Sequence, residues 1–123
     1  MAERKLVSVV DDDESVRESL PDLLRSFGFD AQAFASAEAF LASQDPARTD
    51  CLVLDVAMAG MSGPQLQQEL ARRRAEIPIV FITAHSDDKA LPELIRRGAV
   101  ACLIKPFSET AIVEAVNAAL ARA

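Results

Sequence analysis

"LVSVVDDDESVRESLPDLLRSFG", residues 6–28, contains the transition on which the fold turns. Leu6 to Val10 form a short, largely apolar run, which suits a strand covered on both faces. At Asp11 the run stops and four carboxylates follow in succession, Asp11, Asp12, Asp13 and Glu14. Val16, Leu20, Leu23, Leu24 and Phe27 then recur as one helical stripe, and Gly28 stands where a helix C-terminus takes glycine. Like charges so close together repel and raise one another's pKa values. A fold keeps such a cluster only by solvating it, capping a helix with it, or supplying a cation. Asp13 and Glu14 suit the N-terminus of the helix that follows, which favours acidic groups. Asp11 and Asp12 are left to be explained.

Working outward, the same alternation recurs. Ala31 to Phe34, Leu52 to Leu54, Ile79 to Ile82 and Val100 to Ile104 are further short apolar runs bounded by turn or charged residues. Ser36 can cap a second helix carrying Phe40 and Leu41, and Ser108 a last one carrying Ile112, Val113, Val116 and Leu120. The segments from Pro64 and from Ser86 supply two more. Strand and helix alternate five times, which predicts an α/β fold: a doubly wound, five-stranded parallel sheet flanked by five helices, with right-handed crossovers. In the flavodoxin-like strand order 2-1-3-4-5 the winding reverses between the first and third strands, and ligands bind outside the carboxyl ends there. The first strand ends at Asp11 and Asp12, the third at Asp55, the fourth at Thr83 and the fifth at Lys105. Three carboxylates, a hydroxyl and an ammonium are therefore expected on one rim.

Composition narrows the classes. At 123 residues, 50% hydrophobic and 26% charged, the chain reads as one soluble globular domain spanning residues 1–123. The longest apolar stretches, such as "IPIVFITA" from Ile77, are too short to cross a bilayer, and "MAERK" lacks the apolar segment of a secretory signal. A cytoplasmic location without membrane contact is expected. Cys51 and Cys102 each lie in an apolar run, which suits buried reduced thiols better than a disulfide or a metal site. A net charge of −6 disfavours direct binding to nucleic acid, because tracking phosphates needs a basic excess. The exceptions, Arg72 to Arg74 and the pair Arg96 and Arg97, fall near predicted helix C-termini, where cations complement the dipole.

With the rim residues in place, the sequence resembles the receiver domains of two-component response regulators, the family of the chemotaxis (CheY-like) and nitrogen-fixation regulators. The resemblance covers essentially the whole chain. It is carried by "VVDDD" (Asp11, Asp12), "LVLDVAMAGMSG" (Asp55, Gly63), "FITA" (Thr83) and "LIKPF" (Lys105, Pro106), in this order and at strand ends. "RESL" and "SAEAFL" resemble the nitrogen-fixation (FixJ-type) branch in particular. The resemblance implies that Asp55 is the phosphoacceptor. Asp12 and Asp55 would ligate Mg²⁺ directly, Asp11 largely through water, and the Ala57 backbone carbonyl would complete the protein's share, since Mg²⁺ takes a few hard oxygen ligands together with a phosphate. Thr83 and Lys105 would contact the phosphoryl group, and Ala57 and His85 would stand at rim positions that tune its lifetime. A cis Lys105–Pro106 bond would aim the ammonium into the crevice. The implied partners are a sensor histidine kinase and an output domain or downstream protein, engaged through the fourth helix, fifth strand and fifth helix. Homodimerisation on phosphorylation is one form of that engagement. No turnover enzyme is implied.

Two rivals and several departures sharpen these expectations. A haloacid dehalogenase-type phosphatase also forms an aspartyl phosphate with Mg²⁺, but it carries a second acid two residues after its nucleophile, where this chain has Ala57. A receiver that binds its partner without phosphorylation would not need Asp55, Thr83 and Lys105 intact. Against the family pattern, Ala59 replaces the usual proline four residues after the phosphoacceptor, which predicts a more mobile loop. Cys102 takes the usual aromatic switch position. Pro21 and Pro92 fall inside helical stripes, where each is expected to kink or shorten its helix. Asp87 and Asp88 suit the N-terminus of the fourth helix.

Overall fold

The computed structural model describes residues 4–84 and 89–122. The elements alternate as expected: β1 (Leu6–Val10), α1 (Glu14–Ser26), β2 (Asp30–Phe34), α2 (Ala37–Ala42), a 3₁₀ turn at Asp45–Ala47, β3 (Cys51–Asp55), α3 (Gly63–Arg72), β4 (Ile79–Thr83), α4 (Leu91–Arg96), β5 (Ala101–Ile104) and α5 (Glu109–Arg122). The five strands form one parallel sheet in the order β2-β1-β3-β4-β5. β1, β3 and β4 are buried along their whole length, because helices cover both faces of the sheet.

Successive strand residues feed opposite layers. Val7, Val9, Val53, Val80 and Ile82 join Leu20 and Leu24 of α1 and Ile112 and Val116 of α5. Val10, Leu52, Leu54 and Phe81 join Phe40 of α2, Leu66 and Leu70 of α3 and Leu94 of α4. This two-sided burial drives the fold, each large aliphatic side chain contributing roughly 1.5–3 kcal/mol on removal from water.

Local signals set the helix ends. The Asp13 side chain accepts from the Ser15 amide to cap α1, and Ser36 accepts from Ala39 to cap α2. Ser62 and Gln65 form a reciprocal capping box on α3, and Ser108 accepts from the Ala111 amide at the start of α5. Gly28 follows α1 with φ of 95°, where a side chain would be strained. The paired arginines near helix ends meet carboxylates one turn back: Arg72 and Arg73 bond Glu69, and Arg96 and Arg97 bond Glu93.

Several sequence expectations need correction. The edge strands are not buried on both faces: β2 is mostly exposed, and β5 is partly exposed throughout, because each lacks a neighbour on one side. Strand β5 starts at Ala101 and not at Val100. Phe27 leaves the apolar stripe; it follows the last residue of α1 and is half-exposed. Cys51 is buried as expected, but Cys102, on edge strand β5, is only partly so. Pro21 neither ends nor shortens α1, which runs unbroken through it; burial of Leu20, Pro21 and Leu24 on the sheet offsets the missing amide. Pro92 lies in the first turn of α4, where a missing N–H costs nothing, so it starts the helix and does not kink it. Ser86, Asp87 and Asp88 lie outside the described residues.

Gly63 shows how closely α3 seats against the sheet. Its amide donates to the Val56 carbonyl at 3.1 Å, and an added Cβ would overlap the Asp55 carbonyl oxygen and come within 3.1 Å of Phe81 Cε1. Backbone cannot yield as a side-chain tip can. We expect Gly63→Ala to lower the free energy of urea unfolding by about 1–3 kcal/mol, the usual range for an overpacked site. Leu24→Ala, which opens a cavity under α1, should cost about 2–5 kcal/mol in the same measurement.

Candidate functional site

The parallel register brings the carboxyl ends of four strands to one edge. Val10 pairs with Leu54, Asp55 with Ile82, and Thr83 with Ile104, so Asp55 and Thr83 end their strands level with Asp11 and Lys105, which follow β1 and β5. The Lys105 amide donates to the Thr83 carbonyl at 2.7 Å, fixing the start of the loop after β5. The Lys105–Pro106 peptide bond is cis, as expected.

Asp11, Asp12 and Asp55 converge there, each offering an oxygen within 4.8 Å of the others. Asp11 and Asp55 are buried, whereas Asp12 faces solvent. The buried Asp11 carboxylate is held on both oxygens: Oδ1 accepts from the Asp13 amide at 2.9 Å and Oδ2 from Lys105 Nζ at 2.8 Å. Lys105 Nζ also stands 3.9 Å from Asp55 Oδ2, between the two buried acids. Thr83, fully buried, closes the rim at the end of β4. The predicted site residues Asp11, Asp12, Asp55, Thr83 and Lys105 thus occupy one edge of the sheet. His85 lies outside the described residues.

Ala57 contributes an amide here, which lowers the Asp55 pKa. The loop following it bonds side chains from two other segments. Ala59, lacking the ring of proline, keeps an amide that donates to Asp12 Oδ2 at 3.4 Å. The Met61 amide donates to Glu38 Oε2 of α2 at 3.0 Å. Arg17 Nη1 donates to the Asp11 carbonyl at 3.1 Å. Neither Glu38 nor Arg17 was singled out from the sequence. Both act on backbone atoms of distant or irregular segments, and no residue spacing encodes such contacts.

Electrostatics follow from this crowding. Burial pushes the Asp55 carboxyl up to about 7, reinforced by the Asp11 charge and a hydrogen bond with Asp11, and opposed by Lys105 and the Ala57 amide. For Lys105, burial works against the charged form. The hydrogen bond to Asp11 and the charges of Asp55, Asp11 and Asp13 outweigh it and hold the ammonium above its usual pKa. The site is therefore short of positive charge. Its donors are all hard oxygens, the chemistry of a Mg²⁺-type cation.

Comparison with known proteins places this edge in a family. The profile of the response regulator receiver domain matches residues 7–117. Nodulation protein W of Bradyrhizobium diazoefficiens is 46% identical over 119 residues, which cover 97% of this chain and 52% of that protein. Transcriptional regulatory protein FixJ of Azorhizobium caulinodans is 43% identical over 122 residues, 99% of this chain and 58% of that protein. The crystal structure titled FixJ-N superposes with a TM-score of 0.88 at 37% identity, covering 99% of this chain and 98% of that one. The chain belongs to the receiver domains of two-component response regulators. It spans little more than half the length of the two curated relatives. Receivers generally bind Mg²⁺ through acidic residues and are generally not turnover enzymes. Neither the phosphatase reading nor the phosphorylation-independent one is favoured.

The raised Asp55 pKa has a measurable consequence in metal-free protein. The folded-state value of about 7 lies above the ordinary 3.8, so between these the folded chain holds a proton that the unfolded chain has released. Unfolding free energy in chelator should therefore fall as pH rises from about 4 to about 7, then level off. Asp55→Asn should abolish that fall, as read by urea titrations across the range.

Proposed function

We propose that residues 1–123 act as one phosphoacceptor receiver, taking a phosphoryl group onto Asp55 from a sensor histidine kinase. The observation that carries this reading is the placement of Lys105 Nζ against both Asp11 and Asp55 beside an exposed third acid, Asp12. An Asp55 oxygen attacks phosphorus as the bond to the donor's imidazole nitrogen, or to the acetate oxygen of acetyl phosphate, breaks, leaving an acyl phosphate on Asp55. In this reading Lys105 offsets charge on the transferring oxygens, and Thr83 donates its hydroxyl to one of them. Asp11, Asp12, Asp55 and the Ala57 carbonyl would hold Mg²⁺, which when bound supplies positive charge at the phosphoryl oxygens and favours ionised Asp55. Ala57 and His85 are proposed to set the lifetime of the phosphorylated state, including its autodephosphorylation.

Output would pass through the surface of α4, β5 and α5 to a further domain or downstream protein, or to a second copy of the chain. The name of FixJ, a transcriptional regulatory protein, supports a transcriptional output. We place the protein in the cytoplasm with its kinase's phosphodonor domain; none of the described helices is long and apolar enough to cross a membrane. Cys102 pairs in register with Phe81 on β4 and is too small to fill the space that movement of Thr83 would vacate. The change is therefore proposed to travel through the backbone after Thr83.

Incubation with acetyl phosphate and Mg²⁺, followed by intact mass, tests the acceptor. Wild type should gain one phosphoryl group and Asp55→Asn none, with its fold unchanged by circular dichroism; a label on any other aspartate refutes the assignment. Millimolar Mg²⁺ should raise the melting temperature by mass action, and Asp12→Asn should lose most of that rise. With beryllofluoride, Thr83→Ala should suppress changes in amide exchange across residues 85–97. Cys102→Ala should leave them nearly intact.

A further inference from the structure

We infer that Glu38 is a positioning residue for the phosphoacceptor site: its carboxylate braces the β3–α3 loop that carries Ala57 and Ala59 against α2. The inference rests on the receiver reading of the site given above. Glu38 Oε2 accepts from the Met61 amide at 3.0 Å across 23 positions of sequence. It lies so close over Gly60 that a Cβ at that residue would stand 2.6 Å from the same oxygen. Gly60 itself adopts φ of 75°, a left-handed turn that brings the Met61 amide round. Both contacts use the same Glu38 oxygen, and the left-handed turn at Gly60 is what lets the Met61 amide reach it.

The consequence reaches the acids through a short path. The braced turn at Gly60 and Met61 follows directly on Ala59, whose amide donates to Asp12 Oδ2, and the Ala57 amide faces Asp55. At the far end the loop is fixed by the Gly63 amide on the Val56 carbonyl. Between Val56 and Gly63 the loop holds the Ala57 carbonyl proposed to complete a cation site, and Glu38 grips it from α2 as Asp12 does from the β1–α1 loop. The loop lacks a proline at residue 59, and the tether supplies from outside the order that a ring would have supplied from within. Glu38 is exposed in the first turn of α2, whose Ala37 and Phe40 face the core, so its carboxylate is not part of that packing.

The test compares Glu38→Ala, which removes the acceptor, with Glu38→Gln, which keeps an amide oxygen able to accept from Met61. In metal-free protein followed by NMR, exchange of the Met61 amide should quicken in the alanine variant and stay near wild type in the glutamine variant. The Mg²⁺ dissociation constant, measured by calorimetry, should rise roughly tenfold in Glu38→Ala, the lower end of what loss of a supporting hydrogen bond does to a metal site. Glu38→Gln should recover most of it. The Mg²⁺ concentration for half-maximal acetyl phosphate labelling should shift in parallel, with the rate at saturating Mg²⁺ little changed. A general loss of structure would instead lower melting temperature and the saturating rate together. An unchanged Met61 exchange, or an unchanged Mg²⁺ affinity, in Glu38→Ala overturns the inference. Failure of wild type to label at all would refute the receiver reading, while the exchange measurement still judges the brace.

Discussion

Electrostatic repulsion between Asp11 and Asp55 is the constraint around which this molecule is organised. Two carboxylates are buried side by side at the carboxyl edge of a parallel sheet, and burial with the Asp11 charge opposes ionisation of Asp55. Among the described residues one lysine answers them, bonded to Asp11 and close to Asp55. One ammonium cannot satisfy two buried acids and a third at the rim. The residual need for positive charge supports the hard-cation site proposed there, and the same crowding raises the Asp55 pKa.

The surrounding structure serves to hold that unfavourable arrangement in place. β1 and β3 are rigid because both their faces are buried, so the acids at their ends cannot separate to relieve the repulsion. The Asp13 amide and the Lys105 ammonium take up both oxygens of Asp11, and Arg17 ties down its carbonyl. Gly63 lets α3 approach until it touches the backbone of Asp55, and the intervening loop is gripped by Asp12 and Glu38. Strain of this kind at a site is supported by cooperative burial elsewhere, chiefly the two aliphatic layers under α1 and α5 and under α2, α3 and α4.

A site built on repulsion also lends itself to switching. On the proposed reading, a phosphoryl group on Asp55 would replace a carboxylate charge with a larger one farther out, and Thr83 and Lys105 would be the groups to respond. Their two strands are neighbours, joined by the Lys105 amide on the Thr83 carbonyl, so a shift at one is felt by the other. Both lead into the surface formed by α4, β5 and α5, where β5 is the partly exposed edge strand. In the proposed function, a local change of charge would reach that surface along these strands.

The sequence by itself determined the alternation of strands and helices, the strand order and the five residues of the rim. Short apolar runs, helical stripes and helix-start residues such as Asp13, Ser36 and Ser108 are local signals, and parallel connection leaves the topology little freedom. The family motifs were legible for the same reason, since each stands at a strand end. What only tertiary structure decided were properties set by neighbours. Whether β2 and β5 were covered depended on their place at the sheet edges, and whether Pro21 would break α1 depended on how deeply that turn is buried. The end of α3 carried no glycine to announce it; Arg74 adopts φ of 57° there because the chain must turn into β4. The grip of Glu38 on Met61 and of Asp12 on Ala59 could not be read either. A side chain bonding a backbone amide 23 or 47 positions away leaves no periodic trace, because any residue other than proline can provide that amide.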